Sequence, residues 1–213
     1  MGYNCCVKDL GLIKYKQAYH LQELAISYLK DTGIQTLFFC EHPVVITFGR
    51  LAGEENLLVD EQYLKTIGVE VVRINRGGDI TLHAPGQLVI YPIFNLLYYG
   101  RDLRRYLYKL EQAAVDLLAG FGIVANRSQG RTGVWIGEKK IASIGVGVKR
   151  WISFHGIAIN INVDLELFSM IRPCGMDIGM TSIHELIPAC ADIGMVKNKI
   201  KDCFEKEFDL IYS

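Results

Sequence analysis

Three short segments hold the residue types that can do chemistry. The first is Arg76-Gly77-Gly78-Asp79-Ile80-Thr81-Leu82-His83-Ala84-Pro85-Gly86-Gln87. Adjacent glycines let a backbone pass close to a ligand, and Arg76 and His83 flank them with polar groups. Taken alone, Gly-Gly reads as a tight turn and His83 as a core histidine. Arg, His and Pro-Gly-Gln together favour a site. The second segment is Gly137-Glu138-Lys139-Lys140-Ile141-Ala142-Ser143-Ile144-Gly145. Its Gly-Glu-Lys is a hairpin signal, and Lys139 fits a solvated turn charge. Lys140 opens the next strand, where an amine can point into a cleft and favour a neighbouring thiolate. The third segment is Arg172-Pro173-Cys174-Gly175-Met176.

The chain has six cysteines, Cys5, Cys6, Cys40, Cys174, Cys190 and Cys203. None makes a C-x-x-C pair and no histidines cluster beside them, so neither a zinc site nor a disulfide framework is expected. A free cysteine is most often a small buried hydrophobe, and that reading suits Cys40 and Cys203. Cys174 differs because Pro and Gly hold it in a loop, where a thiol can be exposed and aimed.

The elements that must position these residues follow from periodicity. Helices are expected over 15–31, with Ala18, Leu21, Leu24, Ala25 and Tyr28 on one side, and over 102–121, through Leu103, Leu107, Leu110, Ala114, Leu117 and Phe121. Asp102 is suited to cap the second and Gly120 and Gly122 to end it. A third helix, 192–209, places Val196, Ile200, Phe204 and Phe208 at intervals of four. Strands are expected at 34–40, 44–48, 69–75, 134–136 and 141–148, with one long extended stretch over 80–94. Ile144, Val146 and Val148 alternate with Gly145 and Gly147, and Ile157, Ile159 and Ile161 with Ala158 and Asn160. One face is bulky and the other bare, and bare strand positions let another chain or a ligand approach. Hairpin-like strand pairs between helices predict an α+β fold. With no repeat or linker, 1–213 reads as a single domain.

Half of the 213 residues are apolar and the formal charge is zero, which fits a globular chain and gives no global argument for nucleic acid or a membrane surface. No apolar run approaches the roughly 20 residues of a membrane-spanning helix. The start, MGYNCCVKDL, lacks a basic region followed by an apolar one, so no signal peptide is expected and the location read is cytoplasmic.

Together the three segments resemble the octanoyltransferase, or lipoyl(octanoyl) transferase, family. The matching runs are EHPVVITFGR (41–50), RGGDITLHAPGQLVIYP (76–92), GVWIGEKKIASIGVGVKRWISFHGIAININ (133–162) and PCG (173–175). Two positions depart from the family pattern: Leu82 stands where an aromatic is usual, and Ala84 where glycine is. The first is expected to reshape the acyl pocket. The second matters only if the position needs positive φ.

The resemblance implies a mixed β-sheet flanked by helices, of the biotinyl/lipoyl protein ligase-like (class II synthetase-like) type. It implies that Cys174 carries the acyl group as a thioester and that Lys140 lowers the thiol pKa and shuttles protons. Arg76, Gly77, Gly78, Asp79, Ile80, Thr81, Leu82, His83, Ser143, Ile144, Gly145, Gly156, Ile157 and Ala158 would line the substrate site. The implied donor is octanoyl-acyl carrier protein, with lipoyl-acyl carrier protein as a second. The implied acceptors are apo lipoyl domains of 2-oxoacid dehydrogenase E2 subunits and the glycine cleavage H protein. Thioester exchange followed by amide formation needs no nucleotide, metal or other cofactor, and the chain has neither a P-loop nor G-x-G-x-x-G.

Two other readings stay open on sequence. An ATP-dependent lipoate or biotin ligase would share the fold and the lysine, but would not need Cys174. A non-catalytic scaffold would use a basic surface to dock carriers. Arg101, Arg104, Arg105 and Lys109 form one candidate surface. For the transferase itself, an acidic donor carrier is expected to dock on Arg101, Arg104 and Arg105 or on Lys149 with Arg150, the second preferred because it lies between the two site-forming strands.

Overall fold

The structure is a computed structural model. It describes residues 2–213 except Met176 and Ala191, and for Cys174 the backbone only. In chain order the strands are β1 (Tyr3–Leu12), β2 (Gln35–Glu41), β3 (Val45–Phe48), β4 (Glu70–Arg73), β5 (Ile80–His83), β6 (Gln87–Ile93), β7 (Asn126–Ser128), β8 (Arg131–Ile136), β9 (Lys139–Lys149), β10 (Ile152–Asn160) and β11 (Leu210–Tyr212). The helices are α1 (Tyr15–Thr32), α2 (Glu61–Thr66), α3 (Leu103–Ala119), α4 (Ile183–Leu186) and α5 (Ile193–Phe208).

Among the described residues, one sheet runs β11-β1-β2-β6-β10-β9-β8-β7 and a smaller one runs β4-β3-β5. In the large sheet β1 is parallel to β2 and β11, and the other neighbours are antiparallel. In the small sheet β3 is parallel to β4 and antiparallel to β5. This is the mixed α+β arrangement expected. β6 and β10 are buried along their whole length. Both faces of the sheet are covered there, so their sequences run nearly continuously apolar instead of alternating.

Each face has its own core. On one, Leu110, Ala114 and Leu117 of α3 and Ile200, Phe204 and Phe208 of α5 pack with Ile157 and Ile159. On the other, Ala18, Ala25 and Leu29 of α1 pack with Phe38, Val89, Phe154 and Ala158. The α5 stripe falls where its four-residue spacing puts it, and Asp102 caps α3 by accepting from Arg105 N–H. The α1 stripe differs from expectation. Tyr15, Ala18, Gln22, Ala25, Ile26 and Leu29 are buried, while Leu24 and Tyr28 are exposed. A polar residue stands inside this stripe because the Gln22 side-chain oxygen accepts from the His155 backbone N–H. No helix among the described residues is long and apolar enough to cross a membrane.

The long extended stretch over 80–94 is in fact two strands in two sheets. Ala84-Pro85-Gly86 turns the chain from β5 to β6. Gly86 has φ 86°, and a Cβ there would come within 2.6 Å of Asn162 Oδ1. Its carbonyl takes the Ile161 and Asn162 N–H groups, tying the corner to the end of β10. Ala84 needs no left-handed φ and is fully buried, so the departure from glycine there carries no backbone strain. The N-terminal run, which gave no strand signal, forms β1 between β2 and β11.

Candidate active site

A cleft of about 570 Å³, counted out to its mouth, lies between the small sheet and the β9–β10 hairpin. Arg76, Gly78, Asp79, Ile80, Thr81 and His83 line one wall. Lys140, Ser143, Ile144 and Gly145 line the other from β9, with Gly156, Ile157 and Ala158 from β10.

Two of the expected lining residues are elsewhere. Gly77 donates its N–H to Val146 O at 2.8 Å, fastening the glycine loop onto β9. Leu82 is fully buried in the core of the small sheet, because alternation on β5 sends Thr81 and His83 to the cleft and Leu82 to the opposite face. The change from an aromatic at this position therefore leaves the cleft wall unaltered.

The turn bearing Cys174 is a single 3₁₀ turn, Pro173–Gly175, and Pro173 lines the cleft. The Cys174 side chain and Met176 lie outside the described residues. Gly175 has φ 64°, and its N–H donates to Arg172 O. A Cβ on Gly175 would stand 3.2 Å from Asp79 Oδ2. Asp79 Oδ2 accepts from Asn56 Nδ2 at 2.9 Å, and Asn56 O accepts from Arg172 N–H at 2.7 Å. The turn is thus seated against the Asn56–Asp79 pair, beside the cleft.

Lys140 reaches the cleft through a break in register. Val134 faces Ala142 but Trp135 faces Lys140, so β9 has one residue more than β8 at this point. Ile141 and Ala142 both bury in the α3–α5 core, and Lys140 emerges on the other face with Ser143 and Gly145. Such bulges commonly re-aim a side chain next to a site. Lys140 is 1% exposed, with its ammonium 4.7 Å from the centre of the Trp135 ring. Its backbone is held from the far side, its N–H donating to Gly179 O and its carbonyl accepting from Thr181 N–H. Lys139, one residue away, is exposed and paired with Glu185 at 2.8 Å.

The cleft is also lined by Val89 and, farther along the hairpin from Lys140, by His155 with Tyr15 and Tyr91. His155 arrives by a second irregularity. Its neighbours Ile157 and Ile159 face the α3–α5 core and Phe154 and Ala158 face α1, so alternation would send His155 to the α3–α5 side. Instead it has φ 56°, and its ring stacks with Tyr19 at 5.5 Å and meets Tyr15 Oη at 3.2 Å, both on α1. The reversal falls opposite Pro92, which has no N–H to give the ladder, and a Cβ on Gly156 would sit 2.7 Å from Pro92 Cδ. A left-handed φ at a non-glycine residue costs on the order of 1–3 kcal/mol. His155 Nε2 is buried with no hydrogen-bond partner among the described residues. A histidine before glycine in an otherwise apolar strand was the available signal. Tyr15 lies too far from the other motifs for spacing to find it.

Charge is distributed unevenly along the cleft. Burial pushes His83 down to about 3, helped by nearby His42, and burial followed by the Arg76 charge pushes His155 down to about 3. Both rings are neutral at ordinary pH. The His83 tautomer follows from its partner. Gln87 donates its amide N–H groups to Leu82 O and Asn160 Oδ1, so its oxygen must accept from His83 Nδ1–H. Arg76 is buried, and its guanidinium donates to Thr47 O, Thr47 Oγ1 and Gly77 O.

The bare face of the hairpin serves chain packing. A Cβ on Gly145 would stand 2.9 Å from Arg76 Cδ, and one on Gly156 2.1 Å from Ile90 O. Lys149 and Arg150 are exposed, but Lys149 is nine residues along β9 from Lys140. At about 3.3 Å per residue that is roughly 30 Å. The preferred docking pair therefore stands at the far end of the hairpin and does not rim the reactive end.

The chain matches the model of the lipoyl protein ligase A/B catalytic domain over residues 14–205. It is 43% identical over 213 residues to an octanoyltransferase of Caldicellulosiruptor bescii, covering 98% of this chain and 92% of that one. Among solved structures, an archaeal bipartite lipoate protein ligase from Thermoplasma acidophilum superposes with TM-score 0.74 at 16% identity, covering 100% and 86% of the two chains. A biotin protein ligase from Aquifex aeolicus, solved with biotin and ATP, superposes with TM-score 0.56 at 15% identity, covering 97% and 70%. These similarities assign the biotinyl/lipoyl ligase-like fold, and the chain belongs to the lipoyl protein ligase A/B catalytic-domain family.

Proposed function

We propose that this chain, acting as one catalytic domain over 1–213, transfers an octanoyl group to a lysine of a lipoyl domain through a thioester on Cys174. The observation that carries the reading is the convergence of the RGGDITLH, KKIASIG and HGIA segments on one cleft beside the Pro173–Gly175 turn. The octanoyltransferase relative at 43% identity supports the acyl group named. The donor is octanoyl-acyl carrier protein, or its lipoyl counterpart. The acceptors are apo lipoyl domains, including those of 2-oxoacid dehydrogenase E2 subunits, and the H protein.

The reaction balances with groups of this chain. The Cys174 thiolate attacks the donor thioester carbonyl, a carbon–sulfur bond forms, and the carrier thiolate leaves with a proton from the Lys140 ammonium. The acceptor amine then attacks the acyl-enzyme, a carbon–nitrogen bond forms, and Cys174 leaves as thiolate. The neutral Lys140 amine takes the proton that the nucleophile sheds. No nucleotide is consumed.

Intact-mass analysis after incubation with an octanoyl thioester tests the reading. The expected result is a hydroxylamine-labile octanoyl adduct on the unaltered chain and none on Cys174→Ala. An adduct that persists in Cys174→Ala rejects the assignment. The ligase fold is also found with biotin and ATP bound in a distant neighbour, so ATP with free octanoate is the matching control. Adenylate formation would favour a ligase.

A further inference from the structure

The transfer chemistry uses only one end of the cleft. His155 faces Val146, six residues along β9 from Lys140, or roughly 20 Å of strand. The left-handed turn at His155 sets its ring on the α1 side, where Nδ1 and the Tyr15 hydroxyl are hydrogen-bonded at 3.2 Å. Tyr15 is 3% exposed and held by other rings, His83 stacked at 6.2 Å and His42 edge-on at 5.4 Å. On the outer side of Tyr15 is a second hollow, lined by Lys16, Tyr19 and residues 72–75 as well as by Tyr15 itself. Tyr15 therefore borders both the cleft and this hollow.

Resting on the acyl-transfer reading above, we propose that Tyr15 and His155 form the end wall of the acyl cleft and set the longest acyl chain the enzyme accepts. Both side chains are uncharged and line the cleft. Their hydrogen bond, and the packing around Tyr15, make the wall rigid where a mobile aliphatic side chain would yield. The backbone reversal at His155 is what brings the second half of the wall to this face.

The two halves can be removed separately. His155→Gly keeps the left-handed backbone without strain and deletes the ring. Tyr15→Ala joins the cleft to the outer hollow. Tyr15→Phe keeps the ring and loses only the hydroxyl. The full chain and each variant are given octanoyl and dodecanoyl pantetheine thioesters, and the rates of acyl-enzyme formation are compared. The ratio of dodecanoyl to octanoyl rate should rise about tenfold or more in His155→Gly and in Tyr15→Ala, as expected when a pocket stops rejecting extra methylenes. In Tyr15→Phe it should stay within about twofold. Should either truncation fail to fold, Tyr15→Leu provides a milder opening with the same expected direction. Turnover that persists with an unmoved ratio in the truncations overturns the wall. No adduct on the unaltered chain with any thioester overturns the transfer reading, and the wall with it.

Discussion

Lys140 and His155 stand at opposite ends of one cleft, on neighbouring strands, and each reaches it through a break in strand regularity. An extra residue in β9 beside Ile141 turns Lys140 away from the α3–α5 core. A left-handed residue in β10 turns His155 the same way. The electrostatic outcomes differ. Lys140 lies over Trp135 and lines the cleft together with Pro173 of the Cys174-bearing turn, while burial holds His155 and His83 neutral. Regular alternation in this hairpin supplies packing and the Ser143 hydroxyl, and its two exceptions supply Lys140 and His155. One end carries the Lys140 amine, and at the other the two histidines stay neutral beside the buried Arg76 guanidinium.

The sharpest way to break that comparison is at the Lys140 end. Lys140→Ala removes the amine to which the proposed mechanism gives proton exchange with the leaving thiol and the attacking nucleophile. Turnover should fall by about 10²–10⁴, the usual range for general acid–base groups. The pH at which Cys174 alkylates should rise, because a nearby cation favours the thiolate. Iodoacetamide rates across pH check this, and an unmoved alkylation profile would remove Lys140 from the thiol's activation.

The same two residues mark what the sequence discloses about the cleft and what it hides. Lys140 was legible because a hairpin signal and a family-like run lay around it, although the bulge that aims it was not. A bulge depends on the register of two strands, and neither strand alone encodes it. His155 was hidden because period-two reasoning assigns it to the α3–α5 core, where Ile157 and Ile159 go. Leu82 was misplaced for the related reason that its face depends on which sheet β5 joins, and the turn at Pro85-Gly86 decides that. The α5 stripe and the Asp102 cap were legible because they need only local spacing. Lys149 and Arg150 looked close to the site in sequence because they join its two strands, but a hairpin turn is the point farthest along the strand from Lys140.

The histidine end makes an acid prediction. His83 and His155 each fall from an ordinary value of 6.5 to about 3 on folding. Between those values the unfolded chain binds more protons than the folded one. Their stabilising neutrality is therefore complete above 6.5 and is lost as pH falls toward 3. From pH 7 to pH 5 each histidine should cost about 2 kcal/mol of stability. Urea midpoints measured at both pH values check it. His155→Asn, which tolerates left-handed φ, should lessen the acid loss. An equally steep loss in that variant would show that His155 is not held neutral.

A smaller effect isolates the strain at His155. His155→Ala and His155→Gly lose the same ring and the same hydrogen bond to Tyr15. They differ in backbone freedom, since alanine meets steric conflict at φ 56° and glycine does not. The alanine variant should be less stable by about 1–2 kcal/mol. Equal denaturation midpoints would mean that the strand relaxes to regular alternation once the ring is gone, so that the side chain holds the reversal and the backbone does not.

The smallest expected effect lies one residue from the largest. Lys139 is exposed, and its ammonium meets Glu185 Oε1 at 2.8 Å, while Glu185 Oε2 accepts from Thr181 Oγ1 at 2.6 Å. Hydrogen bonds from Lys139 and then from Thr181 hold the Glu185 carboxyl below its usual value. The pair is open to water, so it should contribute only about 0.2–1 kcal/mol. Lys139→Ala should leave acyl-enzyme formation within about twofold and the Cys174 alkylation profile unmoved, opposite to Lys140→Ala. The comparison is demanding because Thr181 N–H also donates to Lys140 O, so Glu185 sits one step from the backbone that holds the buried lysine. A tenfold loss in Lys139→Ala would mean that this surface pair keeps the 179–181 segment seated and Lys140 aimed. Thr181→Val, which removes the hydroxyl to Glu185 and keeps the backbone donor, would then reproduce the loss. A loss confined to Lys139→Ala would instead assign it to the charge itself.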